Sequence, residues 1–457
     1  MAEQLRSVGL DVGTSTTQLI VSELTVENQA GAFAVPEMAI SQRTIRYESP
    51  VHLTPLLDEA RVDGDAIRQI VTAEYEKAGI DRASVDTGAI IITGETSRKE
   101  NAQAVLEALA DFAGEFVVAT AGPDLESILA AKGAGAVAYS ADTGKSVLHM
   151  DIGGGTSNLA LIQDGKILRT GCLNVGGRLI KLDANRCVTY VSPVLTGLTD
   201  LRPGSIATEA QVMTLADLLA QALEMAAGLR EPTDLLSILT TKETGRELQP
   251  MAADIISFSG GVADCIETQH PALAFGDMGP ALGQAIRRSK LCAGDYVLGT
   301  QTIRATVIGA GCHSAQLSGS TVFHRNMAFP LKGLPVVTLS PEEQLAPDLP
   351  QIIRQRFDSQ DAIPVLALPG LPSASYGQIQ NFAERIAAGV PDGPLFLALE
   401  QDMAKALGQA LALRLDSHRP ILCLDRLRLE EGSYLDVGAP VGPALPVVIK
   451  TLILSQH

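Results

Sequence analysis

The residues best suited to chemistry lie in the segment DIGGGTSN, which begins at Asp151 and ends at Asn158. Three successive glycines leave the backbone open to a ligand, and their N–H groups can converge on an anion. Thr156 and Ser157 add hydroxyl donors. A carboxylate beside such a nest makes sense when a divalent cation lies between it and a phosphate. Taken alone, the segment is equally compatible with an ordinary glycine-rich hairpin.

Two apolar runs flank this segment and predict the strands that position it. Residues 147–150 lead into Asp151, and residues 159–162 follow the glycines. We expect these runs to form two antiparallel strands joined by the glycine turn. Asp164 and Gly165, a pair typical of hairpin turns, follow the second run and predict a second hairpin turn. His149 lies two residues before the aspartate, so both side chains can share a face of the strand. A buried, hydrogen-bonded histidine is favoured there over a catalytic one.

The same pattern occurs near the start of the chain, in the stretch GLDVGTSTTQLIVSEL. A short apolar strand runs into Asp11, then come Gly13 and four small hydroxyl residues, and an apolar strand follows at 19–21. The two aspartates are 140 residues apart (151 minus 11). A duplicated strand–Asp–Gly–strand unit indicates two similar half-domains, each with its own phosphate turn.

The paired motifs resemble the phosphate-binding loops of the actin, sugar-kinase and heat-shock-chaperone ATPase superfamily. The resemblance implies an α/β fold in which two ribonuclease-H-like, actin-type halves close over ATP and Mg²⁺. The stretch GPDLESILAAKGAG, residues 122–135, resembles the helix that connects the halves. Within it, Glu126 matches an acidic residue that orients the attacking water. ATVIGAG, residues 305–311, resembles the second connecting segment.

Two further glycine pairs fit this superfamily. IISFSGGVAD, residues 255–264, resembles the adenosine motif, with Gly260 and Gly261 under the nucleotide. NVGGR, residues 174–178, resembles a phosphate-proximal pair. Its last residue, Arg178, stands where chaperone relatives carry an acid, and this departure leaves the role of Arg178 open.

The resemblance therefore implies a complete ATP site. Asp11 and Asp151 would face each other and hold Mg²⁺, directly or through water, while Glu126 positions water. Catalysis of this kind is mostly positioning and charge stabilisation. The residues implied to bind the phosphates are Gly13, Thr14, Ser15, Thr16, Gly153, Gly154, Gly155, Thr156, Gly176 and Gly177.

Composition and length narrow the class of protein. A chain of 457 residues is too long for one core, so we expect two to four domains. The formal charge of −17 argues against nucleic acid and anionic membranes as partners. No apolar run approaches the ~18 residues of a membrane span, and no signal peptide is evident. Six scattered cysteines suggest reduced thiols in a cytoplasm.

The chain divides into three predicted segments. Residues 1–147 and 148–330 each start with strands and continue with alternating helices and strands, including a predicted helix at 100–112, and are assigned to the two ATPase halves. From residue 331 the prolines cluster. Residues 331–457 are therefore interpreted as an appended C-terminal α/β segment, and we expect this segment to contact a partner.

Over nearly its full length the sequence resembles the ethanolamine ammonia-lyase reactivating factor (EutA) family. The similarity is carried by the opening GLDVGTSTTQLIVSEL, by TGETSRKENA at 93–102, by HMDIGGGTSNLALI and by the ending YLDVGAPVGPALPVVIKTL. It implies an ATP-dependent, chaperone-like factor. Such a factor releases damaged cobalamin from ethanolamine ammonia-lyase so that intact adenosylcobalamin can bind. A bacterial microcompartment association and a homo-oligomer are left open.

Three other functions remain as alternatives at this point. A small-molecule kinase of the same superfamily would consume ATP with a soluble substrate and no partner. An exopolyphosphatase-type phosphatase, which shares the DIGGG turn, would cleave polyphosphate without added nucleotide. A non-catalytic actin-like assembly protein would form nucleotide-dependent filaments. The fold by itself does not choose among them.

Overall fold

The structure is a computed structural model that describes the chain from residue 3 to residue 451, with gaps. Thr14, Ser15 and most of the helix predicted at 100–112 lie outside the described residues. The gaps within this span are residues 14–15, 29–37, 59–60, 94–100, 103–104, 106–108, 110–116, 121–122, 242–247, 300, 314–315, 319–320, 361, 430, 432 and 441–443.

The first half of the molecule is built on a mixed sheet with the strand order β3-β2-β1-β5-β6. Strand β1 pairs antiparallel with β2 and parallel with β5. Strand β5 is buried along its whole length, as expected for a parallel strand covered on both faces. The strands are β1 (Glu3–Val12), β2 (Thr16–Asn28), β3 (Met38–Glu48), β4 (His52–Leu53), which pairs with β2, β5 (Thr87–Ile92) and β6 (Val117–Thr120).

The second half repeats this arrangement with the strand order β9-β8-β7-β12-β13. Its central strand again pairs antiparallel with the next strand and parallel with a later one. The shared order shows two similar halves and confirms the predicted α/β fold class. The strands are β7 (Val147–Ile152), β8 (Ser157–Gln163), β9 (Lys166–Leu173), the separate ribbon β10 (Ile180–Leu182) and β11 (Val188–Val191), β12 (Ile255–Ser259) and β13 (Tyr296–Leu298).

Helices cover these sheets, and local sequence sets their ends. Asp63 caps the first helix by accepting from the Ala66 N–H, and Gly79 ends it in the left-handed conformation. None of the helices in the described ranges has the length and apolar character that a bilayer crossing demands. The helices are α1 (Gly64–Ala78), α2 (Pro123–Gly133), α3 (Ala136–Thr143), α4 (Glu209–Ala226), α5 (Asp234–Leu239), α6 (Asp264–Glu267), α7 (Gly279–Arg288), α8 (Ala305–His313), α9 (Pro341–Leu345), α10 (Leu349–Asp358), α11 (Tyr376–Gly389) and α12 (Ala404–Ala412).

Helices α2 and α8 are exchanged between the halves. Helix α2 follows the first sheet in sequence but packs on β8 and β9, whereas α8 follows the second sheet but packs on β1 and β2. The two helices meet through glycines. A Cβ on Gly133 would lie 1.8 Å from the Ala305 carbonyl oxygen, and a Cβ on Gly309 would lie 2.1 Å from the Leu129 oxygen. The two segments interpreted as connections thus form one close crossing beneath the space between the halves.

A third sheet forms the C-terminal unit. Strands β16 to β19 are parallel, and helices α10 to α12 connect them. Two strands of this sheet precede residue 331, so we propose that the unit begins at Gln316. In sheet order the strands are β14 (Gln316–Leu317), β21 (Pro446–Thr451), β20 (Ser433–Val437), β16 (Leu331–Thr338), β17 (Val365–Leu368), β18 (Leu395–Leu399), β19 (Ile421–Leu424) and β15 (Phe323–Arg325).

Candidate functional site

A cavity of about 400 Å³ opens between the two halves, where strands β1 and β7 end. It gathers residues that are up to 295 positions apart in the sequence (306 minus 11). Gly176 is buried and is not part of the wall, and Thr14 and Ser15 are not among the described residues. The predicted site residues in the wall are Asp11, Gly13, Thr16, Glu126, Asp151, Gly153, Gly154, Gly155, Thr156, Gly177, Gly260 and Gly261.

The two glycine turns share one backbone hydrogen bond. The Gly13 N–H donates to the Thr16 carbonyl at 2.9 Å, and the Gly153 N–H donates to the Thr156 carbonyl at the same distance. In each half, an aspartate is the next-to-last residue of the strand and lies two positions before the glycine. The duplication seen in the sheets therefore extends to the turns that line the cavity.

Two aspartates, one from each half, share an electrostatic environment in the cavity. Burial is the main reason that the pKa of Asp11 is raised to about 7. The hydrogen bond from the Thr93 hydroxyl, 2.7 Å away, lowers this pKa, and the nearby charge of Asp151 raises it further. Burial likewise raises the pKa of Asp151 to about 6, against hydrogen bonds from Ser259 and Thr306. Ionising both carboxylates without a cation therefore costs free energy.

This donor set fits a magnesium ion. The carboxylates of Asp11 and Asp151 are hard oxygen ligands, and the turn backbones beside them offer N–H groups to phosphate. Within the described ranges, no group of three or more His, Cys, Asp or Glu side chains is arranged to hold a metal ion. Mg²⁺ commonly binds through one or two carboxylates and completes its shell with water and phosphate, so two aspartates suffice.

A buried chain of hydrogen bonds stands behind Asp151. Ser259 donates its hydroxyl to Asp151 Oδ1, and His149 Nε2 lies 2.9 Å from the Ser259 oxygen. His149 Nδ1 lies 3.1 Å from Ser257 Oγ. Burial lowers the pKa of His149 to about 3, so the ring is neutral. Since the Ser259 proton is used on the carboxylate, Nε2 carries the imidazole hydrogen and Nδ1 accepts from Ser257. The expectation of a buried, hydrogen-bonded His149 is confirmed.

Replacing Ser259 with alanine is expected to weaken Mg²⁺-dependent nucleotide binding about 10-fold. The change removes the donor that fixes Asp151 and leaves the His149 N–H unpaired, a cost of about 1–3 kcal/mol. The measurement is the dissociation constant for ATP with and without Mg²⁺. Ser257→Ala is the matched control, because Ser257 contacts the same histidine but not Asp151. An equal loss of affinity in both conditions would point to general damage instead of a misplaced aspartate.

Glu126 reaches the cavity from the first turn of α2. The side chain is 8% exposed and belongs to the described wall, together with both aspartates. A carboxylate in this position can accept a hydrogen bond from a water molecule, and a general base of this type typically contributes 10²–10⁴-fold to a rate.

The variant Glu126→Gln is expected to bind nucleotide normally and to hydrolyse it about 100-fold more slowly, because an amide is a poor proton acceptor. Equilibrium binding and phosphate release would be measured on the same preparation. Asp124→Asn serves as the control, since Asp124 lies on the same helical turn but bonds to Thr170 and is not part of the cavity wall. Unchanged turnover in the Glu126 variant would remove this residue from the mechanism.

The far end of the cavity is formed by the second half. Gly260 has φ 85°, and a Cβ there would lie 2.3 Å from the Ile152 oxygen, so glycine is required for this turn to pack against β7. The rings of His270 and the exposed Phe275 contact each other in the same wall, with centroids 4.9 Å apart and planes tilted by 59°. Sequence reasoning did not find these aromatic residues, nor Thr93, Ser259 and Thr306. The sequence held a signal for the serine alone: Ser257 and Ser259 are two positions apart on a predicted strand, so their side chains lie on the same face.

Arg178, whose role the sequence leaves open, lies in the cavity wall. Its backbone N–H donates to the Gly154 carbonyl at 2.7 Å, which anchors it to the second glycine turn. Its guanidinium contacts Asp277, with Nε 3.3 Å from Oδ2. The structure thus places a cation beside the glycine triplet.

Comparison with known proteins decides the family. The profile of the family described as "Ethanolamine utilisation protein EutA" matches residues 3–455. The chain belongs to the EutA family. Among its relatives, a Salmonella typhimurium protein named ethanolamine ammonia-lyase reactivase EutA is 39% identical over 98% of both chains. The Escherichia coli EutA of the same name is 38% identical over the same shares.

A solved structure gives a more distant likeness for this EutA-family chain. The Aquifex aeolicus member of the Ppx/GppA family shares 16% identity, with a TM-score of 0.42. The likeness covers 67% of this chain and 97% of that one. The family assignment rests on the full-length sequence similarity.

Proposed function

We propose that this chain is an ATP-dependent, chaperone-like reactivase of ethanolamine ammonia-lyase. It releases damaged cobalamin from the inactivated enzyme so that intact adenosylcobalamin can bind. The observation that supports this most strongly is the 39% identity along 98% of the chain to a protein named for that activity. The cavity between two similar halves supports the dependence on nucleotide, because both halves contribute residues to its wall.

In this proposal each part of the cavity wall has a role. The backbone N–H groups of the two glycine turns would bind the phosphates, and Asp11 and Asp151 would hold Mg²⁺. Bound Mg²⁺ would supply neutralisation of phosphate charge. Ser259 and His149 keep Asp151 oriented, and Glu126 positions the attacking water. Gly260 and Gly261 lie beneath the nucleoside.

A ligand that contacts both turns favours the closed arrangement of the halves, and hydrolysis removes that bias. The crossing of α2 and α8 lies beneath the cavity and links each half to the other's sheet. We propose that this closure and opening is transmitted to the lyase, which loosens its hold on the damaged cofactor.

A reactivation assay tests this function directly. Ethanolamine ammonia-lyase inactivated with cyanocobalamin is mixed with this protein, Mg-ATP and fresh adenosylcobalamin, and the recovery of lyase activity is followed. Recovery that requires ATP and fails with Asp151→Asn is the expected result. No recovery despite intact ATP hydrolysis would refute the reactivase and direct the search to kinase substrates. Polyphosphate cleavage without nucleotide would favour a phosphatase instead.

We further propose that the C-terminal unit contacts the lyase. A chain that ends at residue 313, before the first strand of the third sheet, is expected to retain ATP hydrolysis and lose reactivation, because the cavity wall lies wholly before that point. Phosphate release and lyase recovery would be compared with those of the full chain. Full reactivation by the shortened chain would exclude this unit as the contact.

A further inference from the structure

The cavity is strongly acidic, and this sets a problem for an anionic ligand. Within the described wall, Arg178 is the only arginine or lysine. A nucleoside triphosphate carries several negative charges, and like charges within a few ångströms repel strongly at low dielectric. Two of the carboxylates can be neutralised by a divalent cation, but the others cannot. The acidic residues of the wall are Asp11, Glu126, Asp151, Asp264 and Asp277.

Arg178 is held close to the phosphate turn by its backbone and not by its side chain. The Arg178 N–H donates to Gly154, and the preceding Gly177 N–H donates to Gly153 at 3.0 Å. The guanidinium is 30% exposed, and among the described residues it makes one contact, at 3.3 Å through Nε to Asp277 Oδ2. Arginine binds carboxylate and phosphate best through two parallel N–H bonds, so this contact leaves most of its donor capacity for a ligand.

Asp277 is fixed independently of Arg178. Its other oxygen, Oδ1, accepts the Gly279 N–H at 2.9 Å, in the first turn of α7. Burial keeps the pKa of Asp277 above its usual value even though Gly279, Arg178 and Lys181 lower it. Asp277 therefore has an anchor that does not depend on the arginine, whereas among the described residues the Arg178 guanidinium is held by Asp277.

We propose that Arg178 is a phosphate ligand that Asp277 holds aside in the free protein. On binding, the guanidinium exchanges the Asp277 carboxylate for the phosphate oxygens of a nucleoside di- or triphosphate at the second glycine turn. The ion pair thus acts as a competitor for the ligand. This inference rests on the proposed nucleotide-binding function. It gives a role to an arginine at a position where chaperone relatives carry an acidic residue.

Two substitutions separate this role from a structural one. Arg178→Ala and Asp277→Asn each remove the same ion pair, and asparagine can still accept the Gly279 N–H. If the pair only stabilised the fold, both variants would change nucleotide affinity in the same direction. If Arg178 is a ligand, losing it weakens binding, whereas releasing it from Asp277 does not.

The experiment is calorimetric titration of the full chain with ATP, ADP and adenosine in the presence of Mg²⁺. Arg178→Ala is expected to lose about 10- to 100-fold in affinity for ATP and ADP, the range for a hydrogen bond to a charged group, and none for adenosine. Asp277→Asn is expected to bind ATP at least as tightly as the wild type. Arg186→Ala is the matched control, because this arginine pairs with Glu209 outside the cavity wall.

Each result has a definite meaning. An Arg178→Ala variant that binds ATP as tightly as the wild type, or a loss of affinity in Asp277→Asn as well, overturns the inference. An equal loss for adenosine also overturns it, because adenosine has no phosphate. If the wild type binds no nucleotide, the proposed function fails and the inference fails with it. If the wild type binds nucleotide and Arg178→Ala binds it equally tightly, only the inference about Arg178 fails and the proposed function stands.

Discussion

Replacing Asp151 with asparagine is expected to lower the rate of Mg²⁺-dependent ATP hydrolysis at least 100-fold while the protein stays folded. An amide keeps the shape of the carboxylate and can accept the Ser259 hydroxyl, but it lacks the charge that holds Mg²⁺ against the phosphates. Removing one preorganised electrostatic contact of this kind typically costs about 10²–10³ in rate. Asp11→Asn is expected to behave alike, since the two turns are equivalent.

The same variant carries a stability signature that depends on pH. Burial raises the pKa of Asp151 to about 6 in the folded protein, so ionisation of this one group removes stability as the pH rises from about 4 through 6. Asparagine does not ionise. Without metal, Asp151→Asn is therefore expected to melt at or above the wild-type temperature at pH 8. Calorimetric melting and phosphate release would be measured together.

The control for these variants is Asp164→Asn, a change in the exposed hairpin turn between β8 and β9. It is expected to leave both hydrolysis and melting unchanged. Normal ATP hydrolysis by both Asp11→Asn and Asp151→Asn would show that the paired turns are not the phosphate site.

Replacing Gly309 with alanine is expected to destabilise the protein by about 3 kcal/mol or more, because overpacking against rigid backbone lies at the upper end of the usual range. The new Cβ would lie 2.1 Å from the Leu129 carbonyl oxygen, and backbone on α2 cannot move aside as a flexible side chain would. The free energy of unfolding would be measured with guanidinium chloride. Nucleotide binding should weaken too, since the crossing lies beneath the cavity.

Gly377→Ala provides the matched control for this prediction. Gly377 also lies in a helix, α11, but a Cβ there meets nothing within 4 Å. Alanine has the higher helix propensity, so this change is expected to be neutral or to stabilise by up to about 1 kcal/mol. If Gly309→Ala unfolds at the same denaturant concentration as Gly377→Ala, the close helix crossing is not a determinant of stability.

Features written in local sequence were predictable. The apolar runs before Asp11 and Asp151 form strands, and the glycines after them form turns. Both features were predictable because apolar patterning and glycine determine the backbone conformation within a few residues. The repeat of one motif after 140 positions (151 minus 11) indicated two similar halves before any sheet order was known. The family was also indicated by sequence alone, because its motifs occur in the expected order along nearly the full length of the chain.

Features made by contacts between distant segments were not predictable from these patterns. The hydrogen-bond chain from Ser257 to Asp151 requires β12 to lie beside β7 in one register. The start of the third sheet at Gln316 depends on pairing with β21, more than a hundred residues later. For strands so far apart in the chain, no short turn marks the pairing, and local propensity does not specify which strand will be the neighbour.

The sequence by itself determined the α/β class, the two glycine turns that follow Asp11 and Asp151, the family and half of the described cavity wall, 12 of 24 residues. Only the tertiary structure decided that α2 and α8 exchange halves, that Gly176 packs behind a turn, and that Arg178 faces Asp277 in an acidic cleft. The physical reason is that strands, turns and glycine positions follow from interactions between neighbours in the chain. Burial, pKa shifts and ion pairing follow from which remote segments share a space, and packing of the whole chain fixes that.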